Sequence, residues 1–150
     1  MFPNDWDMVD NIRFQTNCDN ISWDEVPALL GSVGMSHTDT ETHRQSFEAS
    51  YAVVFVFDAN RLIGFGRIIS DGVRQAAVYD VAIDPAYQGR RIGSHIMSLL
   101  QEAAPGCNFI LYASPGKEPF YEKLGFKKMK TGMILFADED RMNDETFVEL

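Results

Sequence analysis

The stretch DVAIDPAYQGRRIGS, residues 80–94, joins the end of an apolar strand pattern to the start of a helical pattern. A tight loop between them contains Gly89, two arginines and Gly93. The first amides of a helix have no acceptor within the helix, and they point outward with the positive end of its dipole. Glycines allow a diphosphate close to the backbone, and Arg90 and Arg91 supply charge-assisted hydrogen bonds. The stretch therefore predicts an anion site.

The loop matches neither of the two common nucleotide motifs. It lacks the Lys-Ser or Lys-Thr pair of a Walker loop and the three glycines of a Rossmann fingerprint. A solvated helix cap is the alternative interpretation of residues 88–94. Gly64-Phe65-Gly66 also lacks a third glycine, and strand glycines that admit a neighbour or a bulge explain it.

The sequence before this stretch predicts one strand, two short helices and three antiparallel strands. Residues 12–15 alternate as a strand does, and capping patterns at 22–25 and 38–41 begin two helices. The first helix is predicted over about 23–30, broken by Gly31 and Gly34, and the second ends near Glu48. The antiparallel strands are predicted at 51–57, 61–70 and 73–84, with turns at 58–60 and 71–72.

After the stretch, the apolar period becomes helical until Pro105-Gly106 ends the pattern. Residues 108–113 predict a buried strand parallel to its predecessor. The last predicted elements are a short helix at 120–124 and closing strands at 126–128 and 133–136. This order predicts one mixed-sheet α/β domain over residues 1–150, with an acidic C-terminal extension from about residue 138.

Composition and charge exclude several classes of protein. The 150 residues suit one globular domain, and a net charge of -9 disfavours nucleic-acid binding. Cys18 and Cys107 have no CxxC or histidine-rich partner, so we expect two reduced thiols and no metal site. The first residues lack a basic n-region and an apolar h-region, and no stretch is long enough to span a bilayer. We therefore expect a cytoplasmic protein that does not bind membranes.

Two motifs resemble those of the GNAT superfamily of acetyl-CoA-dependent N-acetyltransferases, and the resemblance covers most of the chain. Residues 88–93 match that family's pyrophosphate loop, except that Arg91 stands where the first motif glycine belongs. Residues 120–126, FYEKLGF, complete a second signature, Phe-Tyr-x-x-x-Gly-Phe. The resemblance implies a twisted, mostly antiparallel sheet that is splayed in the middle and flanked by about four helices. We expect Arg91 to adopt unstrained helical geometry, and cofactor binding to survive the departure.

The resemblance also implies where acetyl-CoA binds. Its pantetheine arm lies where the strand 78–83 splays from the strand 108–113, and the Val81 amide is the candidate donor to the thioester oxygen. Ser114 stands where many relatives have an asparagine that holds the pantetheine, and its hydroxyl replaces part of that hydrogen bonding. The implied cofactor-binding residues are Val81, Ile83, Gln88, Gly89, Arg90, Arg91, Ile92, Gly93, Ser94, Ser114 and Tyr121.

Tyr121 resembles the family's general acid, which protonates the departing CoA thiolate. The alternative for Tyr121 is a helix tyrosine packed beside Phe120 and Phe126. An amine with a pKa of about 10.4 is protonated at neutral pH, so the site must also accept a proton. Tyr79 and Asp80 are the candidate bases.

Strand alternation predicts that Tyr79 and Asp80 lie on opposite faces, with Tyr79 on the face of Val81. For Asp80, a structural carboxylate that caps a loop is the alternative. His37 and His43 lie in the predicted helical pair, where exposed histidines are more often incidental than catalytic. Neither is a predicted site residue.

The implied function is transfer of the acetyl group of acetyl-CoA to a primary amine by direct attack in a ternary complex. The acceptor is a small arylalkylamine or polyamine-like amine, or a protein lysine or N-terminus. The alternative is an acyl-CoA-binding or sensing module without turnover. Many relatives pair through C-terminal strands, and the apolar residues 133–136 therefore imply a possible homodimer.

Overall fold

The computed structural model describes residues 11–138 and 147–149. The chain divides into two compact units, residues 1–111 and 112–150. The first unit holds β1 (Ile12–Gln15), α1 (Glu25–Ser32), α2 (Thr40–Glu48), β2 (Ala52–Asp58), β3 (Arg61–Ser70), β4 (Gln75–Ile83), a 3₁₀ turn (Pro85–Tyr87), α3 (Ile92–Ala103) and β5 (Asn108–Ile110). The second unit holds α4 (Glu118–Lys123).

The strands form one mixed sheet in the order β1-β2-β3-β4-β5. The first three pairings are antiparallel, and β4 pairs with β5 in parallel. That parallel pairing joins residues 75–77 to residues 108–110, whereas β4 continues to Ile83. The predicted mixed, mostly antiparallel sheet is confirmed, and the described residues form four α-helices, three of them in the first unit.

The sheet is covered on both faces by apolar packing. On one face, α1 and α2 bury side chains against β2 and β3, where Phe47 lies 5.3 Å from Phe55 and 5.5 Å from Phe65 between ring centroids. On the other face, α3 buries Ile96 and Leu100, as the helical period of the sequence predicts. Burial of such large apolar side chains is the main source of stability for the first unit.

The starts of the two short helices differ from the predictions. The capping box at residues 22–25 does not form, because the carbonyls of Ser22 and Trp23 accept from the amides of Glu25 and Val26 at 3.0 and 3.1 Å. The helix therefore begins at Glu25 and continues through Gly31, which was expected to break it. In α2 the cap is Asp39, whose Oδ1 accepts from the Thr42 amide at 2.9 Å.

The strand predictions late in the chain are wrong in three places. The strand predicted at 108–113 is limited to Asn108–Ile110, and it is not buried, since Ile110 is 47% exposed. Among the described residues of the second unit, neither 126–128 nor 133–136 forms a strand. Met133 and Leu135 are 98% and 91% exposed. An apolar run specifies a strand only where a neighbouring strand and a core receive it.

Candidate active site

The middle of β4 contains a β-bulge. Arg67 pairs with Tyr79, and Phe65 pairs with Ala82, so the single residue between them on β3 faces two residues of β4. Asp80, the first of these two, has a φ of 57°. Aspartate tolerates this left-handed region better than most non-glycine residues do. Bulges of this kind bend a strand and redirect its side chains, often beside active sites.

The bulge changes the faces on which the predicted catalytic residues lie. Tyr79 and Asp80 both reach Arg67, so they share the face covered by α1 and α2. A Cβ built on Gly66 would lie 3.2 Å from Val81 Cγ2 and 3.0 Å from Ile96 Cγ2, which places Val81 on the α3 face. The prediction that Tyr79 and Asp80 lie on opposite faces is therefore wrong. Strict alternation fails because the bulge adds one residue.

Arg67 connects the residues around the bulge. Its Nε donates to Asp80 Oδ2 at 2.8 Å, and its Nη1 donates to Ser50 Oγ at 3.3 Å. Its Cζ lies 5.3 Å from the Tyr79 ring centroid and 5.7 Å from that of Phe47. The Arg67 and Asp80 side chains are only 14% and 21% exposed. Sequence reasoning missed Arg67, although a charged residue inside the apolar strand GFGRII was a usable signal.

His43 is buried beside this cluster and is not the exposed residue that the sequence predicted. Its side chain is 6% exposed, and its Nε2 accepts from the Thr38 amide at 2.9 Å. Burial lowers the pKa of His43, the Asp80 carboxylate opposes the shift, and the nearby charges of His37 and Arg67 lower the pKa further. The imidazole is therefore neutral at pH 7 and ties the start of α2 to its body.

The neutral His43 predicts a loss of stability in mild acid. Because its pKa is lower in the folded state, the unfolded chain binds a proton that the folded chain refuses as the pH falls below about 6.5. We expect the free energy of unfolding to fall more steeply between pH 7 and pH 5.5 in the wild type than in His43→Gln. Urea denaturation across that pH range measures this. His95→Gln is the control, because His95 is not among the groups that shift the pKa of His43, and it should keep the wild-type slope; equal slopes in all three proteins would contradict the prediction.

The loop after β4 is anchored at its base and open at its tip. Asp84 Oδ1 accepts from the Ala86 amide at 2.9 Å, which caps the 3₁₀ turn. The Gln88 side chain donates to the Ile83 carbonyl at 3.0 Å and closes the loop. Gly89 has a φ of +82°, and a Cβ built on it would meet no atom within 4 Å. The backbone at Gly89 is therefore accessible to a ligand.

The two loop arginines are placed differently. Arg90 is half-buried, and its Cζ lies 5.1 Å from the ring centroid of Tyr87, whose hydroxyl donates to Asp58. Arg91 is exposed and has a φ of 62°, so the expected helical geometry is wrong. The turn into α3 requires a left-handed residue at this position, where the resembling family has glycine. No side chain caps the start of α3, where Ile92 and Gly93 are buried and Ser94 is half-buried.

The backbone of Arg91 predicts that its replacement by glycine stabilises the ligand-free chain. A side chain in the left-handed region costs about 1 to 2 kcal/mol, part of which is offset by the greater freedom of glycine when unfolded. We expect Arg91→Gly to raise the Tm by about 2 to 4 °C, as a gain of about 1 kcal/mol does in a chain of this size. Arg90→Gly is the control and should lower the Tm, because Arg90 is not among the residues with positive φ. Thermal unfolding that gave equal shifts would refute the assignment of strain to Arg91.

In the second unit, Tyr121 lies on α4 between two aromatic rings. Its ring centroid is 4.9 Å from that of Phe120 and 5.8 Å from that of Phe126. Burial raises the pKa of Tyr121, so the phenol keeps its proton at neutral pH. The carbonyl of Ser114 accepts from the Lys117 amide at 2.9 Å in the turn before α4. Both the acid role and the packing role predicted for Tyr121 are compatible with these contacts.

Residues 11–138 and 147–149 contain neither a metal-holding cluster nor a membrane-spanning helix. No group of three or more His, Cys, Asp or Glu side chains in these ranges is arranged to hold a metal ion. None of their helices is both long enough and apolar enough to cross a bilayer. Cys18 and Cys107 are free thiols.

The mixed sheet, whose bulged fourth strand leads through a glycine loop into a helix, is an acyltransferase-like fold. The family model described as "Acetyltransferase (GNAT) domain" matches residues 32–134. The chain therefore belongs to the GNAT acetyltransferase family.

Known proteins similar to the chain include two curated relatives and a solved structure. An "Uncharacterized N-acetyltransferase ycf52-like" of Prochlorococcus marinus is 35% identical over 68% of this chain and 61% of its own length. "Serotonin N-acetyltransferase 2, chloroplastic" of Oryza sativa is 36% identical over 65% of this chain and 52% of its own length. This chain thus spans between half and two thirds of either relative. A probable acetyltransferase of Staphylococcus aureus aligns with a TM-score of 0.71 and 26% identity, covering 83% of this chain and 99% of that one.

Proposed function

We propose that the protein is an N-acetyltransferase that uses acetyl-CoA. The observation that carries this proposal is the loop between β4 and α3. It combines an open backbone at Gly89, an uncapped helix start, and the guanidinium groups of Arg90 and Arg91. Phosphate groups require such donors and positive charges, so the loop fits the diphosphate of acetyl-CoA. Val81, Ile83 and Ser114 are the proposed partners of the pantetheine arm.

In the proposed reaction, the amine nitrogen attacks the thioester carbonyl. A C–N bond forms and the C–S bond breaks, and the electron pair of that bond leaves with the CoA sulfur. The Val81 amide stabilises the oxyanion, and the Tyr121 hydroxyl gives its proton to the thiolate. Tyr79 and Asp80 remain the candidates that receive the proton of the amine, and both lie on the face of the sheet covered by α1 and α2.

For the acceptor, we propose an arylalkylamine ahead of a polyamine or a protein amine. Ile69, Ala77 and Ile110 are aligned across β3, β4 and β5 on the same face as Tyr79. Ile69 and Ile110 are 53% and 47% exposed in the first unit. Such an apolar row suits an aromatic ring better than a polycation. The name of the rice relative, a serotonin N-acetyltransferase, agrees with this choice.

Release of free thiol tests the proposal against an acyl-CoA-binding module. Acetyl-CoA is mixed with the protein and with tryptamine, spermidine or a lysine peptide, and the thiol is followed by a colorimetric reagent. We expect thiol release that depends on the amine and is fastest with tryptamine. A binding module would instead show thermal stabilisation by acetyl-CoA without release of thiol.

We further propose the extent of the domain, the location of the protein and its oligomeric state. The protein forms one catalytic domain over residues 1–150 and is cytoplasmic, although the rice relative is named chloroplastic. We also propose a homodimer through residues 133–136, since exposed apolar side chains such as Met133 favour association. Sedimentation at micromolar concentration tests the dimer, and the mass of a single 16.9 kDa chain would contradict it.

A further inference from the structure

We infer that Arg67 is a positioning residue that fixes the bulge of β4 and thereby directs the Val81 amide. The inference rests on the proposed function, in which that amide stabilises the oxyanion. Arg67 itself is assigned no contact with either substrate. It acts through Asp80, the residue directly before Val81.

The bulge needs an external support. Asp80 is held at a φ of 57°, and a non-glycine residue stays in that region only when its surroundings determine it. Arg67 supplies this support from the neighbouring strand through the 2.8 Å hydrogen bond from Nε to Asp80 Oδ2. The guanidinium is in turn held by Ser50 and lies near the rings of Phe47 and Tyr79. The ion pair is mostly buried, so water competes with it only weakly.

The conformation of Asp80 determines where the next amide points. The peptide that joins Asp80 to Val81 carries the Val81 N–H, and its orientation follows the backbone angles of Asp80. An oxyanion donor works only when it lies about 2.7 to 3.1 Å from the developing charge. A small rotation of this peptide therefore weakens catalysis without removing any group that binds acetyl-CoA.

Kinetics of Arg67 variants provide the first test. We expect Arg67→Met to lower kcat by about 10- to 100-fold, less than the roughly 10²- to 10³-fold loss for a missing oxyanion donor. The KM for acetyl-CoA should stay within about threefold, because the loop that holds the phosphates is intact. Arg67→Lys should recover part of the loss, since it restores the charge but not the planar hydrogen-bonding geometry. Arg13→Met is the matched control: Arg13 also lies over an aromatic ring, at 4.3 Å from the Phe57 centroid, and its loss should leave kcat unchanged.

The double variant Arg67→Met/Asp80→Asn separates positioning from an independent role and guards against misfolding. Arg67→Met leaves a mostly buried carboxylate without its partner, whereas the double variant does not. If the two residues act as one unit, the kcat loss of the double variant falls well below the product of the two single losses. Losses that multiply would overturn the inference.

The Val81 amide also gives a readout that does not depend on turnover. In ¹H–¹⁵N spectra of the full chain, we expect acetyl-CoA to shift the Val81 resonance strongly in the wild type. In Arg67→Met at saturating acetyl-CoA, that shift should shrink while the shift of Gly89 persists. A wild type without thiol release would refute the proposed function, whereas equal kcat and an equal Val81 shift in Arg67→Met would refute the inference alone.

Discussion

The Arg90→Ala/Arg91→Ala variant is expected to bind acetyl-CoA about 30- to 1,000-fold more weakly than the wild type. Each charge-assisted hydrogen bond contributes about 1.5 to 3 kcal/mol, and screening reduces the sum for both arginines to about 2 to 4 kcal/mol. Alanine is strained in the left-handed region at position 91 just as arginine is. The substitution therefore removes the guanidinium contacts without changing the backbone strain. Isothermal titration calorimetry at low and at physiological salt measures the effect.

The single variants divide this loss between the two arginines. Arg90 already lies over the Tyr87 ring, whereas Arg91 is exposed, so the two side chains start from different environments. Arg13→Ala/Arg74→Ala is the control, because it removes the same charge from two exposed positions outside the loop. If the control and the loop variant lost affinity equally, the effect would come from net charge and the loop assignment would be wrong.

The order of elements up to α3 could be predicted from the sequence because local signals determine it. Alternation in residues 12–15, the β-branched and aromatic run before Asp58, and the helical period after Arg91 each specify one element. Local signals do not determine the elements at the end of the chain. The apolar run at 133–136 has the composition of a strand, but strand formation depends on a partner strand that local sequence does not specify.

The candidate site was predicted in its motifs but not in its geometry. The anion loop could be found from glycines and arginines at a strand–helix junction, yet the left-handed backbone of Arg91 could not. That conformation follows from the path of the loop into α3, and a glycine would have signalled it. The bulge at Asp80 could not be predicted for a similar reason. An aspartate is compatible with the regular alternation of a strand, so the sequence does not signal its positive φ. The role of Arg67 could not be predicted either, because Arg67 contacts Asp80 only when the bulge places both side chains on the same face of the sheet.

Tyr121→Phe is expected to lower kcat and kcat/KM together by about 100-fold, the usual scale for a positioned general acid. The phenylalanine keeps the ring that packs near Phe120 and Phe126, so the Tm and the affinity for acetyl-CoA should hardly change. Burial raises the pKa of this phenol, so the wild-type proton is available across the neutral range. Tyr112→Phe is the control within the same unit and should retain full turnover.

A thiolate with a pKa near that of free cysteine, about 8.5, is a tolerable leaving group, and water can supply part of the missing proton. A lower Tm with kcat preserved would instead show that Tyr121 is a packing residue and that another group protonates the thiolate.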